Sequence, residues 1–271
     1  MSAPEHAPPP IDLPTVVEAA DRALDRVAEL VRSIPEQSGQ ALPEWTIAQT
    51  AAHLVGVVGA YIDVAAGRGS PYTDIRAAAR TNDEMLARVT DRTPFLLAEQ
   101  IQALRPALAA AIGEEPDGYR PGHEGVPLLR STAVARILGE AVVHGWDMAT
   151  AAQRMWWIEP SDAALIFRSF LPFLPLFVHP ENATGVNARF DVRVRKFPEA
   201  RAVFAFRDGQ LTVEGEPQGR VDCTIVGAPA SMILVIHRRI SLWNPIARGQ
   251  MVAWGTKPWL AFRLVNLFDP P

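Results

Sequence analysis

The segment Gly139-Glu140-Ala141-Val142-Val143-His144-Gly145-Trp146-Asp147 decides how this chain is read. Glu140 and His144 stand at i and i+4, so on a helix their side chains leave one face a single turn apart. Their neighbours Ile137, Leu138, Ala141, Val142, Val143 and Met148 are apolar. An ionised carboxylate in that setting needs a charged partner or a metal, because burying an unpaired charge is strongly unfavourable. A second apolar helix, Trp45-Thr-Ile-Ala-Gln-Thr-Ala-Ala-His53-Leu-Val-Gly, carries one more imidazole. Where the two helices face each other, His53, Glu140 and His144 would converge as two neutral imidazoles and one carboxylate. That set suits zinc or a similar divalent ion with a fourth position open, as in a catalytic rather than a structural site. Taken singly, His53 would be an ordinary hydrogen-bonded core histidine and Glu140/His144 a helix-surface pair; the apolar surroundings of Glu140 favour the metal.

Outward from these segments, the first half of the chain reads as helical. Thr15 and Glu18 form a capping box ahead of an apolar stripe through Val16, Ala20, Leu24, Val27, Val31 and Ile34, and Thr46 with Gln49 forms another ahead of His53. A third helix is expected from near Tyr72, its stripe of Ile75, Ala78, Ala79, Met85, Leu86 and Val89 interrupted by Asn82. An amide on an apolar face needs a partner, either inside the bundle or in a ligand cavity, and this makes Asn82 the candidate cofactor contact. Thr93 and Pro94 start a further helix through Ile112, residues 113–127 read as a long loop, and a last helix runs from about Thr132 to Ala152. Four helical regions with ligands directed inward make a four-helix bundle.

The last third changes period. Residues 188–195 and 202–206 alternate as strands, Asp208-Gly209 turns a hairpin into 211–214, and 221–226 and 251–254 supply further strands. With helices expected at 229–239 and 259–268, the fold class is α plus α+β. At 271 residues two cores are expected. The expected division is a bundle over 12–155, an apolar connector over 156–187 and an α+β domain over 188–271.

A net charge of -4, with basic residues scattered, gives no reason to expect nucleic acid or an anionic membrane as partner. No uninterrupted apolar run of spanning length is read; the nearest, Phe170 to Val178, is short and broken by Pro172 and Pro175. With no secretory pattern in its first residues, the chain is expected to be cytoplasmic. The single cysteine, Cys223, excludes an intramolecular disulfide and a cysteine-based metal cluster, and reads as a small buried hydrophobe. Any thiol chemistry would therefore need a thiol brought from outside.

The blocks Trp45-Thr-Ile-Ala-Gln-Thr-Ala-Ala-His53-Leu and Glu140-Ala-Val-Val-His144-Gly-Trp-Asp147 resemble those of the mycothiol-dependent maleylpyruvate isomerase family. A weaker match runs from Gly219 through Gly255. The resemblance implies a DinB-like metal-binding four-helix bundle followed by a smaller sterol-carrier-like α+β domain. It implies His53, Glu140 and His144 as zinc ligands, mycothiol as the cofactor, and a small electrophile as substrate of an isomerase or S-transferase. Such chemistry needs a cation for substrate carboxylates or a developing enolate, and Arg76, Arg80 and Arg136 are the candidates. Asp147, at i+3 from His144, is placed to orient that imidazole. His123, within Gly122-His-Glu-Gly125, reads as an exposed loop histidine, and His6, His179 and His237 have no neighbouring constellation. Two other functions fit the same residues: a hydrolase using zinc-bound hydroxide, and a non-catalytic protein whose smaller domain binds an apolar molecule or a protein.

Overall fold

A computed structural model describes residues 8–114 and 116–269. The described residues divide into two compact units, one spanning Ile11–Ile158, the other running over 159–269 and taking in the short segment 8–10. Arg168 ties that segment down, its guanidinium donating to the carbonyls of Pro9 and Pro10. His6 lies outside the described residues.

The first unit contains α1 (Leu13–Ser33), α2 (Ile47–Ala65), α3 (Ala78–Arg88), α4 (Pro94–Ile112), the short strands β1 (Tyr119–His123) and β2 (Val126–Leu129), and α5 (Arg130–Ala151). Helices α1 and α2 each pack against both α4 and α5, which closes the expected four-helix bundle, while α3 lies against α2. The start of α1 differs from the sequence reading: Asp12 is the N-cap, its carboxylate accepting from the amide and hydroxyl of Thr15. Pro14 is compatible with this earlier start, since a first-turn proline lacks only an amide that has no intrahelical partner there. At α2 the expected box is present, with Thr46 Oγ1 accepting from the Gln49 amide and Gln49 Oε1 from the Thr46 amide. By length and composition α2 is apolar enough to cross a membrane, yet 67% of that stretch is buried inside the protein. It is the core helix of the bundle.

The region expected to be a loop contains a hairpin. Strands β1 and β2 pair antiparallel across a turn at Glu124 and Gly125, both with positive φ, and the register shifts between Arg120 and His123. A Cβ on Gly122 would meet the Val126 carbonyl, so only glycine fits there. The hairpin is anchored where the Glu124 amide donates to the Tyr72 carbonyl at 2.7 Å.

The second unit opens with α6 (Pro160–Phe170), a 3-10 segment over Leu171–Phe177 and α7 (Pro180–Ala183). Most of the apolar stretch expected as connector thus belongs to this unit, where α6 packs on a strand of its sheet. The sheet is formed by β3 (Ala188–Val194), β4 (Phe197–Arg207), β5 (Gln210–Glu214), β6 (Cys223–Gly227) and β7 (Met251–Gly255), in the order β5-β4-β3-β6-β7. Only β3 and β6 run parallel; the other neighbours are antiparallel. Helices α8 (Pro229–Ile236), α9 (Trp243–Ala247) and α10 (Ala261–Leu264) complete it, α10 standing between two 3-10 turns where one closing helix was expected.

Alternation along β3 gives the sheet two different faces. Phe190, Val192 and Val194 point to the apolar side. Arg189 and Asp191 point to the other, where Arg189 Nη1 lies 2.6 Å from Glu214 and Asp191, 2% exposed, accepts from Arg201 and Arg193.

Candidate metal centre

Helix α2 carries His53 in its second turn, and α5 carries Glu140 and His144 one turn apart. Packing α2 against α5 brings the three together: one donor atom from each lies within 4.8 Å of the other two. The imidazoles of His53 and His144 meet edge to face with centroids 5.1 Å apart, and His144 Nε2 is 3.3 Å from Glu140 Oε2. Trp45, just before the cap of α2, covers His53 with its ring centroid 4.5 Å away. This is the convergence expected from the sequence.

The donor set fits a divalent cation. Two imidazoles and a carboxylate are ligands that zinc accepts, and the buried Nδ1 of His53 has no hydrogen-bond partner among the described residues. For His53 the electrostatics point the same way. Burial, aided by the neighbouring His144, pushes His53 down to about 3 and keeps it neutral, the form that ligates. Burial also opposes charge on His144, but the hydrogen bonds to Asp147 and Glu140 outweigh it and raise the imidazole to about 9. For Glu140, burial is outweighed by His144 and by the Arg136 charge, which hold the carboxyl well below its usual range. A cation seated between Glu140 and His144 would replace the proton that the pair otherwise shares.

Asp147 occupies the expected supporting position, with Oδ2 3.1 Å from His144 Nδ1. That contact leaves Nε2 on the side of Glu140. Arg136, one turn before Glu140, places Nη2 3.3 Å from Glu140 Oε1 and donates from Nε to the Tyr61 hydroxyl at 3.1 Å. Its side chain is only 12% exposed. Of the three candidate arginines it is the one the fold brings to the cluster.

Arg76 and Arg80 are not brought there. Both are exposed, the Arg80 side chain faces solvent beside Glu84 at 3.9 Å, and Arg76 sits in the 3-10 turn before α3 with its amide bonded to Asp74. The cause is helical phase: Arg80 and Asn82 are two residues apart, about 200° around the axis, so turning Asn82 inward turns Arg80 outward. Asn82 Oδ1 accepts from the Tyr72 hydroxyl at 2.6 Å, which ties α3 to the wall of the site.

His123 is the residue that sequence reasoning misplaced. It is 2% exposed, sandwiched between the rings of Tyr61 at 4.1 Å and Tyr72 at 4.7 Å, with Nδ1 2.9 Å from Ser70 Oγ. Burial, with the Arg136 charge nearby, pushes it down to about 3. The available signal was the turn glycine Gly125 two residues after the histidine, but the tyrosines that bury it lie far away in sequence. Elsewhere, His179 accepts from the Asn182 amide at the start of α7, and His237 lies 2.8 Å from the Ile233 carbonyl. Cys223 is buried in the second unit, and burial pushes its thiol up, as suits a packing residue.

Residues 16–149 match the family described as the mycothiol maleylpyruvate isomerase N-terminal domain. Among solved structures, the fold is similar to that of the mycothiol-dependent maleylpyruvate isomerase, with a TM-score of 0.57 and 14% identity over 90% of this chain and 93% of that one. A histidine-to-alanine mutant of that isomerase aligns over the same shares, with a TM-score of 0.51 and 14% identity. No curated protein sequence matches the chain.

Proposed function

Because the helical unit of this chain belongs to the mycothiol maleylpyruvate isomerase N-terminal domain family, we propose that the protein is a divalent-metal-dependent enzyme using a low-molecular-weight thiol, mycothiol by family, on a small electrophile. The reaction is an isomerisation or an S-transfer, carried out in the cytoplasm. The observation that carries this reading is the buried convergence of His53, Glu140 and His144 with Arg136 beside them.

His53, Glu140 and His144 would hold the metal, zinc being the best match to the donors. Bound there, the ion would lower the pKa of a thiol at its open position and so favour thiolate at neutral pH. Asp147 holds His144 through Nδ1 and leaves Nε2 as the nitrogen that would bind the ion. Arg136 is the cation available to a substrate carboxylate or enolate oxygen, and its bond to Tyr61 fixes where its remaining donors point. Tyr61, Tyr72 and His123 stack into a wall that limits water at this end of the bundle.

Such a thiol, when bound, would supply a thiolate for reversible addition to an alkene conjugated with a carbonyl, giving the other geometrical isomer when the thiolate is expelled again after rotation, and the S-adduct when the proton released by the thiol is taken up at the α-carbon. Arg136 would offset the negative charge on the carbonyl oxygen in either case.

The test uses cobalt in place of zinc. Cobalt protein should lack a sulfur-to-metal charge-transfer band until mycothiol is added, and Cys223→Ser should change neither state. If mycothiol, glutathione and simpler thiols all leave the cobalt spectrum unchanged, the thiol reading fails and hydrolysis by metal-bound hydroxide takes its place.

A further inference from the structure

Tyr61 of α2 is 2% exposed, and its hydroxyl oxygen accepts from Arg136 Nε at 3.1 Å. A guanidinium has only hydrogens to offer, so this bond occupies a lone pair of the phenol and leaves the phenol's own hydrogen unused. Among the described residues it is the one hydrogen bond that Tyr61 makes. The Glu140 carboxylate is engaged by Arg136 and His144 instead. Buried tyrosine hydroxyls ordinarily find an acceptor. Tyr72 shows the ordinary case, its hydroxyl donating to Asn82 Oδ1 at 2.6 Å.

The idle donor stands beside the ligand cluster. Arg136 Nη2 lies 3.3 Å from Glu140 Oε1, and Glu140 Oε2 lies 3.3 Å from His144 Nε2, so one carboxylate separates the Tyr61–Arg136 pair from the imidazole. The phenol is also held in place. Its ring stacks on His123 at 4.1 Å, the other face of His123 stacks on Tyr72 at 4.7 Å, and His123 Nδ1 lies 2.9 Å from Ser70 Oγ. Burial pushes the Tyr61 phenol above its ordinary value, so it keeps its hydrogen at neutral pH. A donor fixed in this way needs no reorganisation when charge develops in front of it. We infer that Tyr61 is a catalytic residue, its hydroxyl donating to the substrate's carbonyl oxygen as negative charge builds there, together with the Arg136 guanidinium.

This inference rests on the thiol-addition reading above and narrows its substrate. One neutral donor and one cation suit an oxygen that passes from carbonyl to oxyanion, because both bonds strengthen as the charge grows. A carboxylate carries its full charge before reaction, so the same pair would bind it equally throughout and add affinity without rate. The electrophile selected is thus a conjugated ketone or aldehyde rather than an alkyl halide, which has no such oxygen. The hydrogen stays on the phenol, and no proton is transferred at this step.

The experiment reads the donor directly. The chain has three tyrosines, so full-length zinc-loaded protein labelled with 3-fluorotyrosine gives three fluorine resonances, assigned one at a time by phenylalanine replacement. The probe is 4-nitrophenolate, a one-oxygen anion that does not chelate the metal. It should shift the Tyr61 resonance saturably and leave that of the exposed Tyr119 in place. Tyr61→Phe should weaken the probe by about tenfold or more, the size of one hydrogen bond to a charged oxygen, at full zinc content by elemental analysis. Because that variant also removes the acceptor of Arg136, a second protein carries 3,5-difluorotyrosine at position 61 alone, a stronger donor and weaker acceptor of nearly the same shape. Affinity kept or raised there supports donation to the ligand. Affinity lowered there, a Tyr61 resonance that ignores the probe, or equal affinity in Tyr61→Phe would each overturn the inference. The cobalt band with mycothiol reports the thiol reading separately: its absence removes that reading, whereas a normal band with any of those three results removes only the role of Tyr61.

Discussion

His144 Nδ1 lies 3.1 Å from Asp147 Oδ2, one turn further along α5, and this contact determines which imidazole nitrogen faces Glu140. Asp147 is 2% exposed, so its carboxylate acts on His144 with little screening from solvent. Asp147→Asn keeps the shape and removes the charge. It should weaken metal binding by roughly 10–100-fold without altering the far-ultraviolet circular dichroism. Competition against a chelating dye measures this, and an unchanged affinity would reduce Asp147 to a packing residue.

The ligand set makes a stricter prediction. His53→Ala, Glu140→Gln and His144→Ala should each leave less than stoichiometric zinc in protein purified without chelators, while the apolar stripes of α1, α2, α4 and α5 keep the bundle folded. Elemental analysis with full occupancy in all three variants would remove these residues as ligands.

Much of this was legible in the sequence, and the exceptions have identifiable causes. The i to i+4 spacing of Glu140 and His144 and the Thr46/Gln49 box are local, so their structures followed from a few residues. The β1/β2 hairpin was missed because its strands are only five and four residues long, too short to establish a period beside a glycine-induced bulge. Burial of His123 depends on Tyr61 and Tyr72, contacts that no local pattern encodes. Arg80 was a reasonable candidate until the phase of α3 was known, and that phase is set by Met85 packing beside Gly56 of α2.

Gly145 offers a test of packing next to the site. In an exposed helix, replacing glycine by alanine gains about 1 kcal/mol. Here a Cβ would lie 2.3 Å from Trp156 Cζ2, and Trp156 is held by its bond to the Val142 carbonyl and by the Arg26 guanidinium 4.4 Å above its ring. Gly145→Ala should therefore destabilise the protein by ~1–3 kcal/mol, as overpacking does. In a Trp156→Leu background the same change should be neutral or stabilising. Denaturant midpoints for the four proteins of this cycle check it, and a stabilised single variant would contradict the packing.

Asp191 gives the second unit a predictable acid response. Burial opposes its ionisation, but the bonds from Arg201 and Arg193 outweigh that and hold the carboxyl below its ordinary value. A depressed folded pKa means stability that is fully present above the unfolded value, about 3.9, and is lost as pH falls through the folded one. At neutral pH, Asp191→Asn should cost ~1–3 kcal/mol, because Arg201 loses its buried charged partner. The difference between wild type and variant should stay flat from neutrality to about pH 5 and shrink below about pH 4. A difference independent of pH would show that the charge of Asp191 does not contribute.

Arg136 separates orientation of a metal ligand from action on substrate. Its Nη2 reaches Glu140 at 3.3 Å and its Nε reaches Tyr61 at 3.1 Å, so a variant could act by disturbing Glu140 or by removing a cation from the reaction. Arg136→Gln retains a hydrogen-bond donor near Glu140 while removing the charge, and it should keep stoichiometric metal. If Arg136 stabilises a developing enolate, thiol-dependent kcat/KM should fall by roughly 10²–10³, largely in kcat, the size seen when one donor to a developing oxyanion is removed. Arg136→Lys should restore part of the rate by returning the charge without the planar fork. Tyr61→Phe should lower stability by ~1–3 kcal/mol, because a buried guanidinium donor loses its acceptor, with a smaller effect on rate. Metal content by elemental analysis and steady-state kinetics on the same preparations decide the matter: a rate loss that tracks metal loss assigns Arg136 to holding Glu140, and a rate loss at full occupancy assigns it to the substrate.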